Sequence, residues 1–307
     1  MKYIYTYEES KRIDIALSEF FSISRSTAQQ YIHLGKVTLN GVIINKNSTL
    51  VVHSDILEII NDTEIKEESL HLVPEKIDFN ILFEDEYLMV IDKPAGIIVH
   101  PGNGVSSGTI AHGMLFYLGG KTDMNDQRPG IVHRLDKDTS GVLLLAKNQS
   151  IHTQLSQLFE HRKVEKHYTC LVAGLLPKSG TIDSPITRHP HERNKMSISS
   201  HIHARNAITH FDVLEYSEKF SYIDCHIITG RTHQIRVHLS SIHHPIIGDT
   251  LYGNSSLNAF FYKEFALTRQ FLHARSITFQ HPITQKILTI EAPLPQELSE
   301  IKQNLFQ

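Results

Sequence analysis

His133-Arg134-Leu135-Asp136-Lys137-Asp138-Thr139-Ser140-Gly141 sets a carboxylate between two cations, directly before an apolar run, Val142-Leu143-Leu144-Leu145-Ala146. Opposite charge nearby favours the charged form of an acid, so Asp136 is expected to be ionised between Arg134 and Lys137. An ionised carboxylate on a loop held by a rigid strand suits nucleophilic or base chemistry. The flanking cations suit a phosphate-rich substrate. Residue types alone leave a second reading open, a solvated surface turn.

A second segment bears on that choice. Thr229-Gly230-Arg231-Thr232-His233-Gln234-Ile235-Arg236-Val237-His238 follows the strand-like run Tyr222 to Ile228, and a glycine turn opens a helix-like stretch. Arg231 falls at that turn, where it could pair with a carboxylate through a planar fork that fixes geometry as well as charge.

The two segments together resemble the RluA/RluD family of RNA pseudouridine synthases, in patterns long enough to be specific. The family's nonapeptide around its catalytic aspartate matches from His133 to Gly141, and its arginine motif matches from Thr229 to His238. The resemblance implies that uridine is isomerised by cleaving the bond from ribose to base nitrogen 1, turning the base and rejoining it through carbon 5. Asp136 is then the indispensable residue. It either attacks the anomeric carbon or removes the proton at ribose carbon 2, and the sequence does not choose between the routes. Tyr168 matches the active-site tyrosine, which packs against uracil and could act as a base, and Arg231 matches the arginine that pairs with the aspartate. Ile235 would line the base pocket. Arg134 matches the residue that enters the RNA stack in place of the extracted uridine, offsetting part of the few kcal/mol that flipping costs. An isomerisation needs no group donor and no redox partner, so no cofactor is expected.

Other motifs carry less. Asp138 with Asp136 invites a paired-carboxylate glycosidase, but such groups must flank a sugar bond at a separation of about 5 to 10 Å, which residues two apart need not do. Asp138 is expected to steady the loop by hydrogen bonds. His133 and His233 look like general bases, yet the resemblance makes them structural. His189/His191, His201/His203 and His243/His244 have metal-like spacings that no cysteine or carboxylate cluster completes, so they read as surface or loop histidines and no metal is expected. Gly102 to Gly108 mimics a dinucleotide loop with its third glycine displaced, and reads as a turn.

These residues need a scaffold, and 307 residues with 40% apolar content are enough for two domains. Residues 1–62 are expected to form a small domain. Ile13, Ala16, Leu17 and Phe20 have helical spacing. Ser24 can cap a second helix carrying Ala28, Tyr31 and Ile32, and Gly35 ends it. Residues 36–39 and 42–44, joined by Asn40-Gly41, read as a hairpin with a type I′ turn. This segment resembles the S4-type (αL-motif) RNA-binding domain at Arg12-Ile13-Asp14, Ser24-Arg25-Ser26, Gly35-Lys36-Val37 and Asn40-Gly41. That resemblance implies phosphate contacts by Arg25 and Lys36. Residues 63–75, rich in Glu, read as an acidic linker. Residues 76–307 alternate strands and helices in a way that favours α+β with a mainly antiparallel sheet, the pseudouridine synthase catalytic domain. Strands are expected near 87–92, 142–146, 166–172, 207–214 and 222–228, helices over 109–118 and around 154–159, and a late hairpin from 276–279 and 286–290.

Charge argues weakly against a nucleic-acid partner, at −3 overall with a pI near 6.7. The acidity is local: residues 61–86 carry nine Asp/Glu against two Lys/Arg, and residues 87–307 stand at +4 with 18 of the 21 histidines. A mildly basic, histidine-rich body can bind RNA. There is no apolar run of membrane-spanning length, the stretch Met1 to Glu9 lacks the apolar character expected of a signal peptide, and Cys170 and Cys225 sit in apolar runs, as expected of reduced core thiols. The expectation is a cytoplasmic monomer. The N-terminal segment and the stretch Thr187-Arg188-His189-Pro190 resemble the large-subunit ribosomal RNA branch of the family. A tRNA-modifying synthase of the same family and a catalytically silent RNA-binding assembly factor are the alternatives.

Overall fold

The computed structural model describes residues 2–60, 72–102, 105, 107–120, 122, 124, 128–192 and 194–306. The Glu-rich core of the expected linker lies outside the described residues, as do Asn103, Gly104 and Ser106 of the glycine-rich loop. The chain divides into two compact units, residues 1–71 and 72–307.

In the first unit the apolar spacing produces two helices, Ile13–Phe20 and Arg25–His33. Ile13, Ala16 and Leu17 pack with Ala28, Ile32 and Val37 in a core of their own. The Ser24 hydroxyl accepts from Thr27 N at 3.1 Å, satisfying one of the amides a helix start leaves open. Gly35 closes the helix at φ +66°. Strands Val37–Leu39 and Val42–Ile43 pair through Asn40 (φ +53°) and Gly41 (φ +81°), the two positive angles a type I′ turn requires.

The second unit is α+β. Among the described residues, nine strands make one sheet. Its centre runs Ile208–Tyr216, Phe220–Ile227, Glu165–Ala173, Leu272–Gln280, Ser140–Ala146 and Leu88–Lys93, neighbour to neighbour. Pairing is antiparallel except where Leu272–Gln280 meets Ser140–Ala146 in parallel, His273 opposite Ser140 and Ala274 opposite Gly141. Strand Ser140–Ala146 is buried along its whole length, as its unbroken apolar run requires. Gly141 permits the parallel contact. Its φ is +111°, and a Cβ there would lie 2.1 Å from the Ala274 carbonyl oxygen. The glycine that ends the nonapeptide is therefore demanded by backbone approach. The expected late hairpin forms from Leu272–Gln280 and Ile287–Glu291.

Helix Gln149–Glu160, capped by Asn148, lays Ile151 and Leu155 onto the sheet. Helices Ser255–Phe265 and Gln296–Leu305 have no counterpart in the sequence reading. In the first of them Phe261 is fully buried while Phe260 and Tyr262 are exposed, so aromatic residues on both faces blur the period. Cys170 and Cys225 are buried free thiols. No helix among the described residues is long and apolar enough to cross a membrane.

Candidate active site

The loop 133–139 reaches the site because its backbone is held from behind. The Lys93 ammonium, fully buried, donates to the carbonyls of Pro94, Ile97 and Lys137. Arg269 Nη1 donates to the Asp138 carbonyl at 3.0 Å, and Gln270 to the Thr139 hydroxyl. With its carbonyls so held, the loop can present Asp136. Burial pushes the Lys93 pKa down to about 8, against the pull of the nearby Asp138 and Asp136 charges. Asp138 thus acts on the loop as a charge beside Lys93. The side-chain hydrogen bond expected of it is absent among the described residues. It also lines a different cavity from Asp136, which removes the geometric basis for a carboxylate pair.

The arginine that meets Asp136 is Arg236, with Nη1 3.0 Å from Oδ2. The expectation that Arg231 makes this pair is therefore corrected. Helix Gln234–Ser241 starts after Arg231. That leaves Arg231 on the preceding turn, where Nε donates to the Asn206 carbonyl at 3.1 Å. Arg236 lies in the first turn of the helix and is 5% exposed. Its Nε and Nη2 fork onto buried Asp249 at 2.7 and 2.9 Å, and its guanidinium carbon lies 5.2 Å from the Tyr252 ring centroid. Burial opposes the Arg236 charge, but the Asp249 bonds and the Asp136 charge outweigh it and raise the pKa above the ordinary arginine value. Asp249 also accepts from the amides of Leu251 and Tyr252.

Gln234 staples the turn before this helix. Its side-chain oxygen accepts from the Thr229 hydroxyl and Arg231 N, and its amide donates to the Ile208 carbonyl and the Thr209 hydroxyl. His233 has a positive φ of +55°. The Tyr252 hydroxyl accepts from Met196 N and lies 2.8 Å from His233 Nδ1. Donation from that hydroxyl assigns the proton to Nε2, 3.9 Å from Asp136 Oδ2. Burial first, then Arg236 and Arg134, holds the His233 pKa below its usual value despite Asp136 and Asp249.

Tyr168 and Ile235 are buried and, with Leu135, Ile227 and Leu272, form the apolar wall of a cleft of about 90 Å³ that also holds Asp136, Arg134, Arg231 and Arg236. Five residues expected from the sequence thus share one cleft: Asp136, Tyr168, Arg231, Ile235 and Arg134. Burial, then the Asp136 charge, drives the Tyr168 pKa well above that of an ordinary phenol. The hydroxyl therefore keeps its proton near neutral pH. His133 is structural. Its Nε2 accepts from Leu144 N at 2.9 Å and its ring stacks on Phe159, while burial, then Lys166, lowers its pKa to about 3. His189 and His201 accept turn amides, a loop role.

Arg25 and Lys36 belong to the first unit. Arg25 Nε donates to buried Asp14 at 3.0 Å, beside Arg12 and Gln29 on the same carboxylate. Lys36 has no side-chain partner among the described residues.

Residue types did not single out Arg236, Asp249, Lys93 or Tyr252. One signal was available for Arg236. It stands between Ile235 and Val237 within a helix, and an arginine buried in that way is found only with partners. Asp249 and Lys93 act through residues distant in the chain, so residue types alone gave them no role.

The chain is similar to known proteins along most of its length. Residues 87–241 match the RNA pseudouridylate synthase family, and residues 11–57 match the S4 domain. The chain is 36% identical over 297 residues to ribosomal large subunit pseudouridine synthase D of Haemophilus ducreyi, covering 94% of this chain and 89% of that one. It is also 36% identical over 301 residues to the uncharacterized RNA pseudouridine synthase YlyB of Bacillus subtilis, covering 97% and 95%. The solved structure of human RNA pseudouridylate synthase domain containing 4 superposes with a TM-score of 0.59 at 27% identity, over 74% of this chain and 92% of that chain. With the family match spanning half the chain and relatives aligned along nearly all of it, the chain belongs to the RNA pseudouridine synthase family.

Proposed function

We propose that this chain isomerises uridines of large-subunit ribosomal RNA to pseudouridine, with Asp136 carrying the chemistry. The observation that carries the reading is the array Asp136–Arg236–Asp249. Arg236 is neutralised and aimed by a buried carboxylate and donates its remaining Nη1 to one oxygen of Asp136. The other oxygen, Oδ1, has no protein partner among the described residues and is the atom that reacts. Both routes open to it, attack at the anomeric carbon and removal of the ribose carbon 2 proton, use a free carboxylate oxygen.

The uracil ring packs on the apolar wall made by Tyr168 and Ile235. Tyr168, holding its proton, acts as packing surface and hydroxyl donor rather than as phenolate base. Arg134 is exposed at the rim, where a guanidinium can stack in the gap left by a flipped base. Arg231 serves the substrate rather than Asp136. The small unit, with Lys36 and Arg25, adds affinity and site choice. The ribosomal substrate is supported by the relatives named ribosomal large subunit pseudouridine synthase D, and a cytoplasmic place of action is part of the same proposal. The working form is a monomer.

The test is pseudouridine mapping of ribosomal and transfer RNA from cells with and without the gene, joined to tritium release from carbon 5 of uridine by the purified protein. Loss of sites in large-subunit RNA supports the reading. Loss confined to transfer RNA overturns the substrate, and RNA binding without tritium release overturns the activity.

A further inference from the structure

A second cavity, of about 460 Å³, adjoins the cleft and shares Tyr168, Arg134, Ile227 and Arg231 with it. Its other lining includes Lys166, Arg162 and Phe159. Lys166 is 92% buried, since only 8% of its surface is exposed. Its ammonium sits 5.7 Å from the Phe159 ring centroid, and no hydrogen-bond acceptor or carboxylate partners it among the described residues. Buried lysines are rare without a partner because the charge loses its water. Burial alone lowers the Lys166 pKa to about 8. Arg231 is in a similar state, lowered by burial and then by the like charges of Arg205 and Arg162. Glu160 is the one carboxylate on the described lining, and no ion pair ties it to these cations. The cavity therefore concentrates positive charge that the protein leaves uncompensated, beside the residue that packs the reacting base.

We propose that this cavity is a subsite for a backbone phosphate next to the reacting uridine, with Lys166 as its buried anchor and Arg162 and Arg231 as its walls. The proposal rests on RNA being the substrate. A phosphate there supplies the acceptors that Lys166 lacks and lifts the repulsion between Arg231 and Arg162. It also ties the nucleotide at its backbone while Tyr168 and Ile235 hold its base. Phosphate contacts of this kind position a substrate without reading its sequence.

The experiment uses the full chain and a ribosomal RNA fragment that the wild type modifies, with and without a neutral methylphosphonate at each linkage flanking the target uridine. Lys166→Met is expected to raise the dissociation constant about tenfold and to reduce the slope of log K against log salt by about 0.7, one phosphate's worth on a single strand. Lys166→Arg should recover part of the loss. The methylphosphonate at the correct linkage should weaken wild-type binding equally and add nothing to Lys166→Met. Unchanged affinity and slope in Lys166→Met overturn the proposal, as do losses that add. Should Lys166→Met fail to fold, the wild type decides alone: indifference to both methylphosphonates overturns the subsite. A wild type that binds the fragment but releases no tritium defeats the underlying activity, an outcome distinct from either.

Discussion

The two sides of Tyr168's surroundings differ in how their cations are balanced. Toward Asp136, one arginine serves two carboxylates, and every polar atom of Asp249 that could be left bare is bonded. Toward Lys166, several cations share a cavity in which Glu160 is the single carboxylate and is unpaired among the described residues. Arg236 and Arg231, five residues apart in one motif, differ in this respect: Arg236 is tied to the two carboxylates, whereas Arg231 lines both cavities and meets no carboxylate among the described residues. A balanced, buried array is rigid and suited to aiming a reactive group, because its members have no better partners. An unbalanced one is incomplete without an anion and suited to taking up substrate. The contrast teaches that the same residue type, in the same short motif, is locked into a paired array in one place and left without an acid in the other, according to what the fold brings to it.

The largest test of this contrast is Asp136→Asn. The amide keeps the size and removes the charge, so turnover measured by tritium release is expected to fall about 10⁴-fold or more while RNA affinity holds. Activity near wild type would take the chemistry away from Asp136.

Next comes the pair Arg236→Lys and Arg231→Lys. Lysine cannot fork onto Asp249 and reach Asp136 together, so Arg236→Lys is expected to cost about 10² to 10³ in turnover. Arg231→Lys keeps a charge in the cavity, and its loss should fall on RNA affinity and stay within about tenfold. Single-turnover kinetics separate the two, and a reversed order of effects would break the assignment of sides.

A smaller effect concerns stability. The folded-state pKa of His133 is lowered to about 3, by burial and then by Lys166, and that of His273 to about 4, by burial chiefly, against 6.5 in the unfolded chain. Groups with depressed pKa bind more protons unfolded, so stability is full above about pH 6.5 and falls as the pH drops toward 4. A loss of about 2 to 3 kcal/mol from each of the two groups by pH 4.5 is expected from urea midpoints. His133→Gln, which can still accept from Leu144 N, should flatten that acid limb. An unchanged limb in this variant would mean that His133 is not the group refusing the proton.

The smallest effect belongs to the first unit. Lys36→Gln is expected to weaken RNA binding only severalfold and to lower the salt slope by under about 1, with turnover at saturating RNA unchanged. Arg25→Gln should also lower thermal stability, because Arg25 holds the buried Asp14 carboxylate. Equal melting curves for the two variants would deny Arg25 that second role.

What was legible in the sequence was local. Helices Ile13–Phe20 and Arg25–His33, the Asn40-Gly41 turn and the buried strand Ser140–Ala146 follow from spacing, caps and apolar runs that neighbours in the chain complete by themselves. The nonapeptide placed Asp136 on a strand-anchored loop, and the second motif placed arginines at a strand-to-helix turn. The sequence by itself thus determined the elements flanking the two motifs, the place of Asp136 on its loop and, through the family resemblance, the expectation of an arginine partner, while helices Ser255–Phe265 and Gln296–Leu305 escaped it. Which arginine that would be, only the tertiary structure decided. The choice depends on where helix Gln234–Ser241 begins and on Asp249 arriving from a separate loop. The same holds for Lys93, which bonds a carbonyl 44 residues away, and for Lys166, whose lack of a partner among the described residues is a property of everything packed around it. Local pattern sets the direction in which a chain segment folds. Charge balance in a buried site is summed over segments distant in sequence, and no short window contains it.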